Sequence, residues 1–174
     1  MNHKIKTIIL ISILTLGLTG CGYKTEEEKA LATFSNSISS FTNTVLSIDM
    51  TMNELDVTDE NACEDFLIML DNLDKEFQSL AELSVPEQYL SIEPLADQAS
   101  ENMSIAVSYF HSAYEAEEFN ATDADIAHQY YERAMTRIEY IGYILTGDIP
   151  EDENVIIHEE TSDDRIIDKF INIE

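Results

Sequence analysis

From Leu31 onward, apolar residues recur at helical spacing. Leu31, Phe34, Ile38, Phe41, Val45, Ile48, Met52 and Leu55 follow one another in alternating steps of 3 and 4, a heptad seam over more than three repeats. Ser, Thr and Asn fill many positions between them, which lowers intrinsic helix propensity and leaves packing to hold the helix. Asp56-Val57-Thr58-Asp59 interrupts the pattern, and Thr58 or Asp59 is expected to cap the next helix. The second helix repeats the seam through Cys63, Phe66, Leu70, Leu73, Phe77 and Leu80. Ser84-Val85-Pro86 ends it, because the residue before a proline avoids helical geometry.

A short linker to Ser91 leads into a third helix, with Pro94 in the first turn, where its missing N–H costs nothing. Leu95, Ala99, Met103, Ala106, Phe110 and Ala113 mark its inner face, and small alanines alternating with large residues predict a close helix approach. Phe119-Asn120-Ala121-Thr122 forms the next break, with Thr122 or Asp123 as the expected cap. The fourth helix turns Ala127, Tyr130, Ala134, Ile138, Ile141 and Leu145 inward, and Gly147 is placed to end it.

Four amphipathic helices joined by short loops, with no competing strand alternation, predict an all-α fold, an up-down-up-down four-helix bundle over residues 31–147. After Gly147, residues 148–154 form an acidic linker containing Pro150, and Val155-Ile156-Ile157 is too short an apolar run to classify. Asp163-Asp164 can start a short C-terminal helix with Ile166, Ile167, Phe170 and Ile171 on one side. Residues 148–174 are thus expected to cap an open edge of the bundle or to dock into a partner's groove.

Ahead of the helices, Lys4 and Lys6 lead an apolar stretch from Thr7 to Leu16 that closes on Leu18-Thr19-Gly20-Cys21. A spanning helix needs about 20 apolar residues. The 14 residues from Thr7 to Gly20 fall short of that and include several Thr, Ser and Gly, so they have the layout of a cleavable signal peptide over residues 1–20. Leu18, Thr19, Gly20 and Cys21 resemble the lipobox of bacterial lipoproteins. The resemblance implies that Cys21 becomes the first mature residue and carries lipid on its sulfur, palmitate included, with residues 21–30 as a lipidated tether. Two acyl chains hold a protein stably on a membrane where one is marginal.

All 35 acidic residues but only seven of the nine basic ones lie beyond Gly20, so that part of the chain carries a formal charge of −28. Such a field repels nucleic acid and anionic headgroups, which sets aside a nucleic-acid function. With Cys21 modified, Cys63 has no intramolecular partner, and its place in the apolar seam predicts a buried small hydrophobe rather than a nucleophile.

Catalytic signatures are missing: no Gly-rich phosphate loop, no Cys-x-x-Cys pair, no His-Glu-x-x-His and no Gly-x-Ser-x-Gly elbow. One arrangement has metal-ligand chemistry. His111 and Glu115 share a face of the third helix, and Asp125, His128 and Glu132 fall at related positions on the fourth. Antiparallel helices would bring the two histidines to one level, where His111, Glu115, His128 and Glu132 can ligate a divalent transition metal; solvated boundary histidines are the simpler reading. Tyr109, Phe110, Tyr114, Tyr130, Tyr131, Tyr140 and Tyr143 either line a ligand pocket or pack at the core boundary. The acidic group Asp148, Glu151, Asp152 and Glu153 lacks the order of a calcium loop.

Val85-Pro86-x-x-Tyr89 ahead of an alanine-containing helix is similar to uncharacterised helical lipoproteins of Gram-positive anaerobes, a likeness that implies no activity. The expectation is a lipid-anchored, extracytoplasmic binding module that is not an enzyme and needs no cofactor, with the membrane, envelope proteins, peptides or cations as its partners. The alternative is a divalent-metal-binding bundle.

Overall fold

The computed structural model describes residues 25–56 and 58–147; the expected signal peptide, Cys21 and the segment 148–174 lie outside the described residues. Within them the chain is helical throughout, with no strand: α1 spans Glu26–Asn53, α2 Ala62–Ala81, α3 Glu93–Tyr114 and α4 Ala121–Thr146, and a 3-10 segment, Glu87–Ile92, precedes α3. The helical bundle expected from the spacing is therefore present.

α1 begins at Glu26, ahead of the expected boundary at residue 31, because Thr25 opens a capping box. The Thr25 hydroxyl accepts from the Glu28 N–H at 3.1 Å, and the Glu28 carboxylate accepts from the Thr25 N–H at 2.9 Å. Glu26, Glu27 and Glu28 place negative charge at the positive end of the helix dipole. Along α1, Ser39, Thr42, Thr51 and Asn53 each donate to the carbonyl four residues back, so its many polar side chains are satisfied within the helix itself.

Two expected caps are corrected. Neither Thr58 nor Asp59 caps α2; its first flanking residue is Asn61, which makes no side-chain cap bond. The aspartates fold the loop instead: Asp56 accepts from the N–H and the hydroxyl of Thr58, and Asp59 accepts from the N–H of Asn61. Likewise α4 is capped by Asn120 rather than Thr122 or Asp123. The Asn120 side chain accepts from the N–H groups of Thr122 and Asp123 at 3.1 and 3.2 Å. Asp123 turns its carboxylate to the Ser112 hydroxyl, 2.6 Å away on α3. Pro94 does sit in the first turn of α3, and Gly147 ends α4 at φ 74°, a left-handed conformation that favours glycine. The expected linker to Ser91 is instead the 3-10 segment, which buries Ile92 and kinks at Tyr89.

The buried residues follow the predicted seams with small shifts. Phe34, Ile38, Phe41 and Val45 of α1, Leu70, Leu73, Phe77 and Leu80 of α2, and Ile138 and Ile141 of α4 are buried as expected. On α2, however, Ala62 and Leu67 are buried, Phe66 is half-buried and Cys63 is exposed, so the expectation of a buried Cys63 is overturned. On α3, Ala96 and Val107 are buried while Leu95 and Phe110 are half-buried. A straight helix of 3.6 residues per turn drifts about 20° per heptad from a strict 3.5-residue seam. That drift moves burial to a neighbouring position near the helix ends, as at Cys63.

The most extensive backbone contact is between α3 and α4. Ala99, Ala106 and Ala113 recur every seven residues on α3, Ala127 and Ala134 do so on α4, and all five are fully buried. The ring contacts join the other helices: Phe41 meets Phe77 edge-on at 5.4 Å, Phe66 meets Phe110 at 5.6 Å, and Phe34 stacks on Tyr89 at 5.8 Å. No polar or charged residue is buried among the described residues.

Replacing Ala106 with Leu should lower the unfolding free energy by about 1–3 kcal/mol through overpacking. Ile68→Ala, at a position 49% exposed, should change it by less than about 0.5 kcal/mol. Urea unfolding followed by circular dichroism measures both; equal effects would contradict a close-packed alanine seam.

Candidate functional site

His111 stands in the last turn of α3 with a carboxylate on each side. Its Nδ1 lies 3.0 Å from Oε1 of Glu115, one turn on, and its Nε2 lies 2.9 Å from Oδ1 of Asp71 on α2. Ionised carboxylates only accept, so both ring nitrogens are held as donors, which describes an imidazolium. The positive ring also suits the negative end of the α3 dipole. The hydrogen bond to Glu115 raises the His111 pKa above the ordinary imidazole value; partial burial opposes this, and Asp71 adds to the rise. One turn of α2 further along, the Ser104 hydroxyl donates to Asp74 at 2.6 Å, a second polar tie between α2 and α3.

The four residues considered as a metal site separate into two groups. His111 is engaged by Glu115 and by Asp71, which the sequence reading did not include, while His128 Nε2 meets Glu132 at 3.2 Å on an exposed stretch of α4. Asp125 is exposed on the same helix. Among the described residues, no group of three or more His, Cys, Asp or Glu has a geometry that can hold a metal ion. The Asp71 contact is a tertiary one, forty residues distant in sequence, and helix spacing carried no sign of it.

Of the seven rings of α3 and α4, Tyr130 is buried, Tyr114 is exposed, and the other five are half-buried at the core boundary. Tyr109 and Tyr130 stack with planes 3° apart, and the Arg133 guanidinium lies 5.0 Å from the Tyr130 ring centre. Burial, with Asp49 of α1 adding to it, pushes the Tyr131 phenol up. Tyr143 donates to Glu139, which raises its pKa. A surface depression on α4 is lined by Gln129, Glu132, Arg133, Thr136 and Arg137, with no aromatic ring in its wall. Arg137 donates to Gln98 of α3 at 2.7 Å and ties the helix pair on that side.

A different aromatic group gathers near the α3–α4 loop. Phe66 packs edge-on against Tyr114 at 5.6 Å as well as against Phe110, and Phe119 of the loop rests on Tyr114 at 5.1 Å. Phe119 is 58% exposed and Tyr114 39%. By sequence pattern Phe119 falls in a break between helices. Phe119 stands between Glu118 and Asn120, and its packing on Tyr114 carries no local sequence signal. Comparison with known proteins returns no match: no family model, no curated sequence and no solved structure aligns significantly with the chain.

Because the folded-state pKa of His111 is raised, the stability it contributes is fully present below the unfolded imidazole value of about 6.5 and is lost as the pH rises through the folded value. The melting-temperature difference between wild type and His111→Gln should therefore be largest near pH 6 and shrink as the solution is made alkaline. A difference that stays constant with pH would show that the ring is not held as an imidazolium.

Proposed function

We propose that the chain is a membrane-anchored, extracytoplasmic lipoprotein whose helices form a non-catalytic binding or interaction module. The observation that carries this reading is Leu18-Thr19-Gly20-Cys21, closing an apolar segment that Lys4 and Lys6 lead. Acylated Cys21 is the anchor to the cell membrane, on its outer face, and an envelope protein or peptide is the partner. No helix among the described residues is long and apolar enough to cross a membrane.

The fold beneath this module is an up-down-up-down bundle. Three sets of contacts support that topology. Each pair joins a residue ahead of a connection to one beyond it, as in an antiparallel hairpin: Phe41 with Phe77 across the α1–α2 loop, Asp71 with His111 between α2 and α3, and Gln98, early in α3, with Arg137, in the second half of α4. A core that buries no Asp, Glu, Lys, Arg or His among the described residues supports a module that meets its partner at the surface. The formal charge of −28 beyond Gly20 keeps such a surface soluble and turns it away from anionic headgroups.

Fractionation of cells expressing wild type and Cys21→Ser tests the anchor. Wild type should sediment with membranes and gain the mass of a diacylglycerol on the peptide that begins at Cys21. The serine variant should lose that mass and fail to yield the mature membrane-bound form. A variant that stays membrane-bound with wild-type processing would overturn lipidation at Cys21.

A further inference from the structure

We propose that the aromatic face made by Phe66, Phe110, Tyr114 and Phe119 docks a basic amphipathic segment of a partner protein or peptide. This rests on the interaction-module reading and names the chemistry of the partner. The four rings form one contiguous patch, with centroid separations of 5.6 Å for Phe66–Phe110 and Phe66–Tyr114, 6.5 Å for Phe110–Tyr114 and 5.1 Å for Tyr114–Phe119. Phe119 is the most exposed ring of the set and lies on a loop that a hydrogen bond from the Asn120 N–H to the Ala113 carbonyl holds in place. A solvent-exposed aromatic on an ordered loop, backed by three more rings, is the build of a contact surface.

Charge identifies the occupant. Residues 54–71 and 111–132, the two stretches that supply these rings or adjoin them, hold thirteen Asp and Glu and no Lys or Arg. Glu64 and Asp65 immediately precede Phe66, and Glu115, Glu117 and Glu118 lie between Tyr114 and Phe119. The two stretches meet in space through Phe66–Tyr114 and Asp71–His111. The described basic side chains stand elsewhere: Lys29 pairs with Glu26 at the start of α1, Lys75 follows the α2 stretch, and Arg133 and Arg137 lie beyond the α4 stretch.

An apolar centre with a carboxylate-rich rim, its nearest cation His111 already engaged by Glu115 and Asp71, matches a ligand that carries apolar anchors among Lys and Arg, whose cations can also lie over the ring faces. A second copy of this chain brings the same negative charge and is repelled, and an anionic lipid surface is repelled likewise. A simple cation would leave the rings unused.

The test holds the full chain in nanodiscs of zwitterionic lipid, with empty nanodiscs as the blank, and follows a fluorescent Lys/Leu peptide of helical amphipathic spacing by anisotropy. Three comparison peptides are an acidic Glu/Leu counterpart, a Lys/Ser peptide of equal charge, and the Lys/Leu peptide in high salt. Wild type should bind the Lys/Leu peptide, bind the Lys/Ser peptide about tenfold more weakly, and not bind the Glu/Leu peptide.

Phe119→Ser should weaken binding about tenfold, and Glu117→Gln with Glu118→Gln should weaken it and flatten its salt dependence. Phe119 is exposed, so its variant should keep the wild-type melting temperature. Equal binding by wild type and Phe119→Ser would overturn this face while leaving an interaction module that binds elsewhere. Equal binding of the acidic peptide, or no binding of the basic one, would overturn the assigned partner chemistry; loss of membrane attachment in the Cys21 experiment would instead strike the underlying reading.

Discussion

Close approach of α3 and α4 along their alanines is the constraint on which the rest of the bundle depends. Five methyl side chains at heptad spacing, all fully buried, let two helix backbones come together as no seam of leucines would. Once that pair is set, Met103, Ile138 and Ile141 project from it into a single core shared with Leu70, Leu73 and Phe77 of α2 and Phe34, Ile38 and Phe41 of α1. Polar ties then fix the register: Gln98 with Arg137 and Ser112 with Asp123 across the pair, Asp74 with Ser104 and Asp71 with His111 toward α2. α1 has a substantial close approach only to α2, so it joins the core through large side chains rather than backbone proximity. The order of dependence runs from the α3–α4 pair outward to α1.

Polarity along the bundle follows from the same arrangement. With no buried charge to satisfy, the acidic residues are free to distribute themselves over the surface, and they crowd the end where α2 begins and α3 finishes. There His111 sits between two of them, its pKa raised by the hydrogen bond to Glu115 and by Asp71. The same end exposes Tyr114 and Phe119, a combination of apolar rings and uncompensated charge that folding itself does not require. The proposed interaction surface rests on this combination, which stability leaves unexplained.

Much of this was legible in the residues because helix spacing is a local signal. The seams of α1, α2 and α4 appear at the predicted positions, Pro94 opens α3, and Gly147 adopts the left-handed conformation its position implied. What failed was decided by competition or by distance. Asp56 and Asp59 had a choice between capping a helix and folding their own loop, and the shorter-range bonds prevailed. Asn120 displaced Thr122 and Asp123 as a cap because its side chain reaches both of their N–H groups. The Thr25-x-x-Glu28 box was readable but lay within a stretch assigned to the tether. Cys63 fell on a heptad position that a straight helix rotates toward solvent. The candidate site was the least legible part: His111 and Glu115 are paired by local spacing, whereas Asp71 reaches them only through the α2–α3 interface.

Native-state hydrogen exchange under increasing denaturant reads the order of dependence most directly. Amides of α3 and α4 along the alanine seam should exchange only through global unfolding. Amides of α1, whose Ser- and Thr-rich sequence is a weak helix former, should open at a distinctly lower free energy. If α1 proves as protected as α3 and α4, or the seam opens first, the α3–α4 pair is not the foundation of this bundle.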